Sequence, residues 1–264
     1  MQGVPRPFGE HPVAAGLGTA SDGAGRAVAA MPRSVPTSAN SGPDPLPQAF
    51  GSARQTMSAQ QIGRIIDRPI PFPSERIAAT RKYIAAHYAP EHQGTGDSGI
   101  EFEPRMIVLH CTEVGSLQST LSTFSGTKLP SARSEIASGG DLNVSSQFVV
   151  DQDGTIYRLM PENRMARHTI GLNLSAIGVE NVASDEQHLQ SAQAAADAWL
   201  VRHLKERYPK IEYVIGHHEY GRFRGSGLWW EKERGYFTHK KDPGDAFMQS
   251  VRSQVQDLRL SSNP

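Results

Sequence analysis

Two short, nearly continuous apolar runs constrain this chain more than any other feature, and each one ends in a histidine. Met106 to His110 and Tyr213 to His217 carry almost no polar residue before the imidazole. Runs of this kind read as strands buried in a sheet rather than wetted on one face. Ligands of open α/β sheets bind outside the carboxyl ends of such strands, which is where both histidines stand. Gly216 removes a side chain where the backbone has to turn before His217.

The other elements follow from periodicity. Val144 to Val150 and Thr155 to Leu159 flank Asp151-Gln-Asp-Gly154, a hairpin signal, and Ala176 to Val182 reads as a further strand. Ser74 is placed to cap a helix carrying Ile77, Arg81, Ile84 and Tyr88, and Leu117, Leu121 and Phe124 mark a short one. Ser184 with Gln187 forms a capping-box pattern that opens the longest helix, to about Tyr208, with Leu189, Ala192, Ala196, Trp199, Leu200 and Leu204 as its apolar stripe. Phe247, Val251, Val255 and Leu258 give the last helix, after a long loop over residues 218 to 241. Strands mixed with helices, one strand pair a hairpin, predict an α/β fold: a central mixed β-sheet flanked by helices.

Residues 1–56 hold eight of the 18 prolines and only Phe8 and Phe50 as aromatics, so they read as a disordered Pro/Gly-rich tail. Residues 57–100 read as a short helical lead-in packing on the domain that follows. There Ser58 and Gln61 suggest a capping box, Ile62, Ile65 and Ile66 share one helical face, and Pro69, Pro71 and Pro73 form a stiff connector. Residues 101–260, which hold the main strands and the later helices, are expected to form the main domain.

Composition excludes several classes. With 27 Lys+Arg against 27 Asp+Glu there is no field to gather polyanions, so no nucleic-acid partner is expected. One cysteine rules out a disulfide framework and a Cys-rich metal site; Cys111 itself reads as a small buried hydrophobe. No stretch approaches the roughly 18 apolar residues of a membrane span. The stretch Pro12 to Ala20 contains two glycines and follows Glu10, so an ordinary secretory signal is not expected. Oligomeric state is not readable.

His110, His217 and Asp242, the last in Lys240-Lys-Asp-Pro-Gly244, together make three N/O donors, the composition of a catalytic zinc site with one open position. Taken singly they read otherwise: two strand-end histidines satisfied by hydrogen bonds and an aspartate capping the last helix.

Four ordered stretches carry a resemblance: Ile107-Val-Leu-His110; Val144-Ser-Ser-Gln-Phe-Val-Val-Asp-Gln-Asp-Gly-Thr-Ile-Tyr157; Ala176-Ile-Gly-Val-Glu180; and Ile215-Gly-His217 followed by Lys240-x-Asp242-Pro-Gly. Over roughly residues 105 to 256 the chain resembles the zinc-dependent N-acetylmuramoyl-L-alanine amidases, the superfamily that includes peptidoglycan recognition proteins. The resemblance implies a Zn²⁺ cofactor held by His110, His217 and Asp242, Glu180 as general base and Lys240 as electrostatic helper. It also implies hydrolysis of the amide between N-acetylmuramic acid and the L-alanine of the stem peptide. His168 matches a family histidine near the metal and is expected to contact substrate or to form a hydrogen bond. Trp229 and Trp230, in an aromatic-rich insert between His217 and Asp242, are expected to contact substrate, with a small satellite core as the other reading. Arg167 and Gln147 depart from the family, which often has Trp and His at those places.

The expected partners are peptidoglycan or muropeptide fragments, and the expected site of action is the periplasm or cell wall. Without a conventional signal, release of the phage type or through a dedicated secretion system is one reading and a cytoplasmic recycling role another. A non-catalytic peptidoglycan-binding module of the same fold and a metallopeptidase cutting within the stem peptide are the rival functions.

Overall fold

The two histidine-ending runs lie side by side in one sheet. The computed structural model describes residues 63–264, in the order β1 (Ile65–Asp67), α1 (Ser74–His87), β2 (Met106–Cys111), α2 (Leu117–Ser125), β3 (Phe148–Val150), β4 (Ile156–Arg158), β5 (Ala176–Asn181), α3 (Ser191–Arg207), β6 (Tyr213–Gly216) and α4 (Asp245–Gln254). The six strands form one mixed sheet ordered β1-β4-β3-β5-β2-β6. Every neighbouring pair is parallel except the β3–β4 hairpin. In that hairpin Gly154 takes φ 84°, and the Asp153 carboxylate accepts from the Thr155 N–H at 2.8 Å.

β2 is buried at every residue, with β5 on one side and β6 on the other, which is why its sequence reads as an uninterrupted apolar run. α3 packs Ala194, Ala196, Leu200, Val201 and Leu204 into the core, and α4 adds Phe247, Met248 and Val251. No described helix is long and apolar enough to cross a membrane.

Three expectations need correction. Ile65 and Ile66 belong not to a helix but to β1, which pairs in parallel with β4 from Ile65↔Ile156 to Asp67↔Arg158. Residues that precede proline avoid the helical region, and Arg68, Ile70 and Phe72 each do so. The edge of β4 then takes up the extended segment, fixed by an Arg158–Asp67 ion pair at 2.6 Å. The longest helix begins at Ser191, not near Ser184. Asp185 caps a single 3₁₀ turn there, and the helix starts where the Gln193 side chain accepts from the Gln190 N–H at 2.8 Å. α1 starts at Ser74 with Pro73 at the cap, and it buries Arg76, Thr80, Tyr83, Ile84 and His87 while Arg81 is exposed. The expected tail at 1–56 and the Ser58–Gln61 pattern lie outside the described residues.

Candidate metal centre

His110 projects from the end of β2. His217 opens a 3₁₀ turn (His217–Phe223) directly after β6, and Asp242 arrives 25 residues later, just before α4. The three side chains are buried and converge. His110 Nδ1 lies 3.0 Å from His217 Nδ1, Asp242 Oδ2 lies 3.3 Å from His217 Nδ1, and the third side of the triangle, His110 Nδ1 to Asp242 Oδ2, is 3.6 Å. Backbone contacts hold the carboxylate in place: the Cys111 N–H donates to Asp242 Oδ2 at 3.3 Å, and the His218 N–H and ring Nδ1 both reach the Asp242 carbonyl, at 2.9 and 3.0 Å. Gly216 permits this, since a Cβ there would stand 2.6 Å from the His218 ring.

The donor set fits a metal ion. Zinc bound tetrahedrally at about 2.0–2.1 Å keeps its ligand atoms about 3.3 Å apart, close to the sides of this triangle. Two imidazole nitrogens and a carboxylate oxygen supply the ligand chemistry of a catalytic site, with one position left for water or substrate. Burial and the neighbouring His217 push the His110 imidazole down to about 4, so it is neutral and able to donate a lone pair. Burial alone would raise the Asp242 carboxyl, but His217 and His110 hold it well below the usual carboxylate range, so it stands as a carboxylate.

Glu180 stands in β5 directly opposite His110 in β2. Paired residues of a parallel ladder share a face, so both side chains point into the same cavity. Its Oε2 is buried without a hydrogen-bond partner. Burial, and secondarily the Asp242 charge, push the Glu180 carboxyl up to about 8, partly offset by Arg133 and Lys240. A cation at the triad acts in the opposite sense and favours the carboxylate. Lys240 and Arg133 line the same cavity, with Thr112, Glu113, Tyr236 and Thr238.

The sequence agrees with this geometry. Residues 101–245, more than half of the chain, match the family model described as N-acetylmuramoyl-L-alanine amidase. The chain belongs to the N-acetylmuramoyl-L-alanine amidase family. No curated protein matches it. Among solved structures it is similar to the N-acetylmuramoyl-L-alanine amidase LysC from Clostridium intestinale URNW (19% identity, 75% of this chain and 99% of that one, TM-score 0.44). It is also similar to a Se-Met AmpD derivative (22% identity, 73% and 95%, TM-score 0.45) and to the amidase AmiD from E. coli (22% identity, 57% of each chain, TM-score 0.40). These scores add no argument; the family rests on the sequence match.

In this amidase the remaining residues singled out from the sequence fall in different places. His168 lines the same cavity, with His110 Nε2 3.1 Å from its Nδ1. Burial, with His110 beside it, holds its imidazole well below the usual range. Trp229 and Trp230 are not part of the cavity wall. Trp229 packs on Gly171, Tyr220 and Phe237, and Trp230 stacks on His92 with ring centroids 4.4 Å apart; both are half-buried against the main core. The insert reaches the cavity through Tyr236 and Thr238 instead.

Arg167 explains how that wall stays in place. Its buried guanidinium donates to the carbonyls of Ile136 (2.6 Å), Gly140 (2.9 Å) and Leu142 and to the Tyr236 hydroxyl (2.8 Å), so it ties the insert to the segment before β3. Gln147 is also structural. It accepts from the Gly178 N–H at 2.7 Å and donates to the Arg164 carbonyl at 2.7 Å. Cys111 is a buried free thiol, as its place in the strand suggests. No sequence signal marks Arg133, which comes from an irregular loop and enters the cavity only through the tertiary fold.

Proposed function

We propose that this chain is a zinc-dependent peptidoglycan hydrolase that cuts the amide between the lactyl group of N-acetylmuramic acid and the L-alanine of the stem peptide. The observation that carries this reading is the convergence of His110, His217 and Asp242 with Glu180 in register beside them. Zinc, when bound, supplies a Lewis acid and makes water a nucleophile near neutral pH.

The chain's own residues supply the rest. His110 and His217 offer ring nitrogens and Asp242 a carboxylate, held by the backbone of β2 and of the turn after β6. Glu180 takes the proton of the attacking water and hands it to the leaving amine. It is suited to both steps because it stands in register beside His110 on the wall of the same cavity. Lys240, on the cavity wall, faces the charge that develops on the carbonyl oxygen. Peptidoglycan or its muropeptide fragments are the substrate, and the wall is where the chain acts.

Digestion of purified peptidoglycan, followed by mass spectrometry of the products, tests the assignment. The reading expects stem peptides with a free L-Ala amino group. Products cut within the stem peptide would favour a metallopeptidase, and bound but uncut material would favour a recognition module.

A further inference from the structure

We infer that His168 is a positioning residue which fixes the tautomer of His110 and so presents His110 Nδ1 to the metal, an inference that rests on the zinc reading above. His168 Nε2 lies 3.3 Å from the Ala176 backbone oxygen. A carbonyl only accepts, so Nε2 carries the hydrogen, and in a neutral imidazole Nδ1 is then the acceptor.

Two groups approach that Nδ1. The Thr169 hydroxyl is 2.8 Å away and can turn its hydrogen toward it; His110 Nε2 is 3.1 Å away. Thr169 Oγ1 also lies 3.4 Å from His110 Nε2 and offers a lone pair. His110 Nε2 therefore meets only acceptors and is the protonated nitrogen of its ring. Nδ1 is left bare, and Nδ1 is the atom in the triangle with His217 and Asp242. Orientation of a ligand imidazole by a hydrogen bond to its other nitrogen is a general device for tuning metal sites.

The fold makes room for this ring. Gly178 precedes Glu180 by two residues on the same face of β5, and a Cβ there would lie 2.8 Å from the His168 ring. The backbone is held as well: the Asn173 side chain accepts from the N–H groups of His168 and Thr169 at 2.9 and 2.8 Å. His168 is 9% exposed, and both its ring nitrogens are engaged within the protein, which leaves no free polar atom for substrate.

Zinc affinity, measured by chelator competition on the full chain, separates the possibilities. His168→Leu removes the acceptor and is expected to bind zinc about 10- to 100-fold more weakly. His168→Gln, whose Oε1 can accept from His110 Nε2–H, is expected to recover most of that loss, with KM near the wild-type value in both variants. Wild-type zinc affinity in His168→Leu, or a defect confined to KM, overturns the inference while leaving the metal reading intact. A wild-type protein that binds no zinc overturns both. Ring ¹⁵N shifts of zinc-loaded wild type give a readout that needs no variant: His110 bonded to the metal through Nδ1 with its hydrogen on Nε2 is expected, and metal bonding through Nε2 overturns the inference.

Discussion

Glu180 and His110 are register partners across the parallel pairing of β2 with β5. The proposed base and the proposed first ligand are therefore fixed relative to each other by ladder hydrogen bonds rather than by a loop. A site carried on adjacent strands holds its geometry more closely than one carried on flexible segments. Substituting either residue changes the chemistry without rearranging the frame.

Glu180→Gln keeps the shape and removes the proton acceptor. It is expected to lower kcat by about 10²- to 10⁴-fold, with zinc content unchanged. Stem-peptide release and metal analysis on the same preparation check this; near-wild-type turnover would remove Glu180 from the mechanism.

Lys240 enters the cavity from the insert and belongs to no ion pair among the described residues. Lys240→Met is expected to cost about 10²- to 10³-fold in kcat, with a smaller change in KM, because the charge it meets exists mainly in the transition state. Steady-state kinetics on soluble muropeptides measure the split.

Part of the site was legible because two of its three proposed metal-binding residues stand at the ends of strands whose burial leaves a clear apolar signature. β2 and β6 announce themselves, and His110 and His217 follow. The ligand role of Asp242 was legible only through the resemblance, since an aspartate before a helix reads equally well as a cap. β1 was missed because three residues carry too little periodicity to separate strand from helix, and the decision lies with the edge of β4. The start of α3 was missed because Ser184–Gln187 and Gln190–Gln193 show similar local patterns, and only packing selects between them. Trp229 and Trp230 stand out as large aromatics, yet the insert folds so that Tyr236 lines the cavity while Trp229 packs on Tyr220 and Phe237 and Trp230 stacks on His92. That choice depends on long-range bonds from Arg167, which no local pattern reports.

Arg167→Met removes four hydrogen bonds from a buried position and leaves their carbonyl acceptors unpaired. It is expected to destabilise the protein by about 2–4 kcal/mol. Hydrogen exchange at residues 134–142 should quicken more than exchange in β2 or β5. Denaturant unfolding gives the first quantity and mass-resolved exchange the second.

Asp197 on α3 is fully buried, with the Asn181 amide donating to it at 2.9 Å. Burial raises its carboxyl to about 8, the Asn181 bond offsetting only part. Because the folded value lies above the unfolded one, the folded state holds the extra proton between about pH 4 and pH 8. Stability from this group is present at low pH and falls as pH rises through that window. Asp197→Asn is expected to flatten the fall, so that variant and wild type differ more in melting temperature at pH 8 than at pH 5. Parallel slopes would contradict the assignment.

The most direct test of the whole account is an anomalous-scattering map from crystals of the zinc-loaded protein, recorded at the zinc edge. One peak is predicted at the triad, bonded to His110 Nδ1, His217 Nδ1 and an Asp242 carboxylate oxygen at about 2.0–2.2 Å. A peak elsewhere, or none at full zinc occupancy of the buffer, would contradict it.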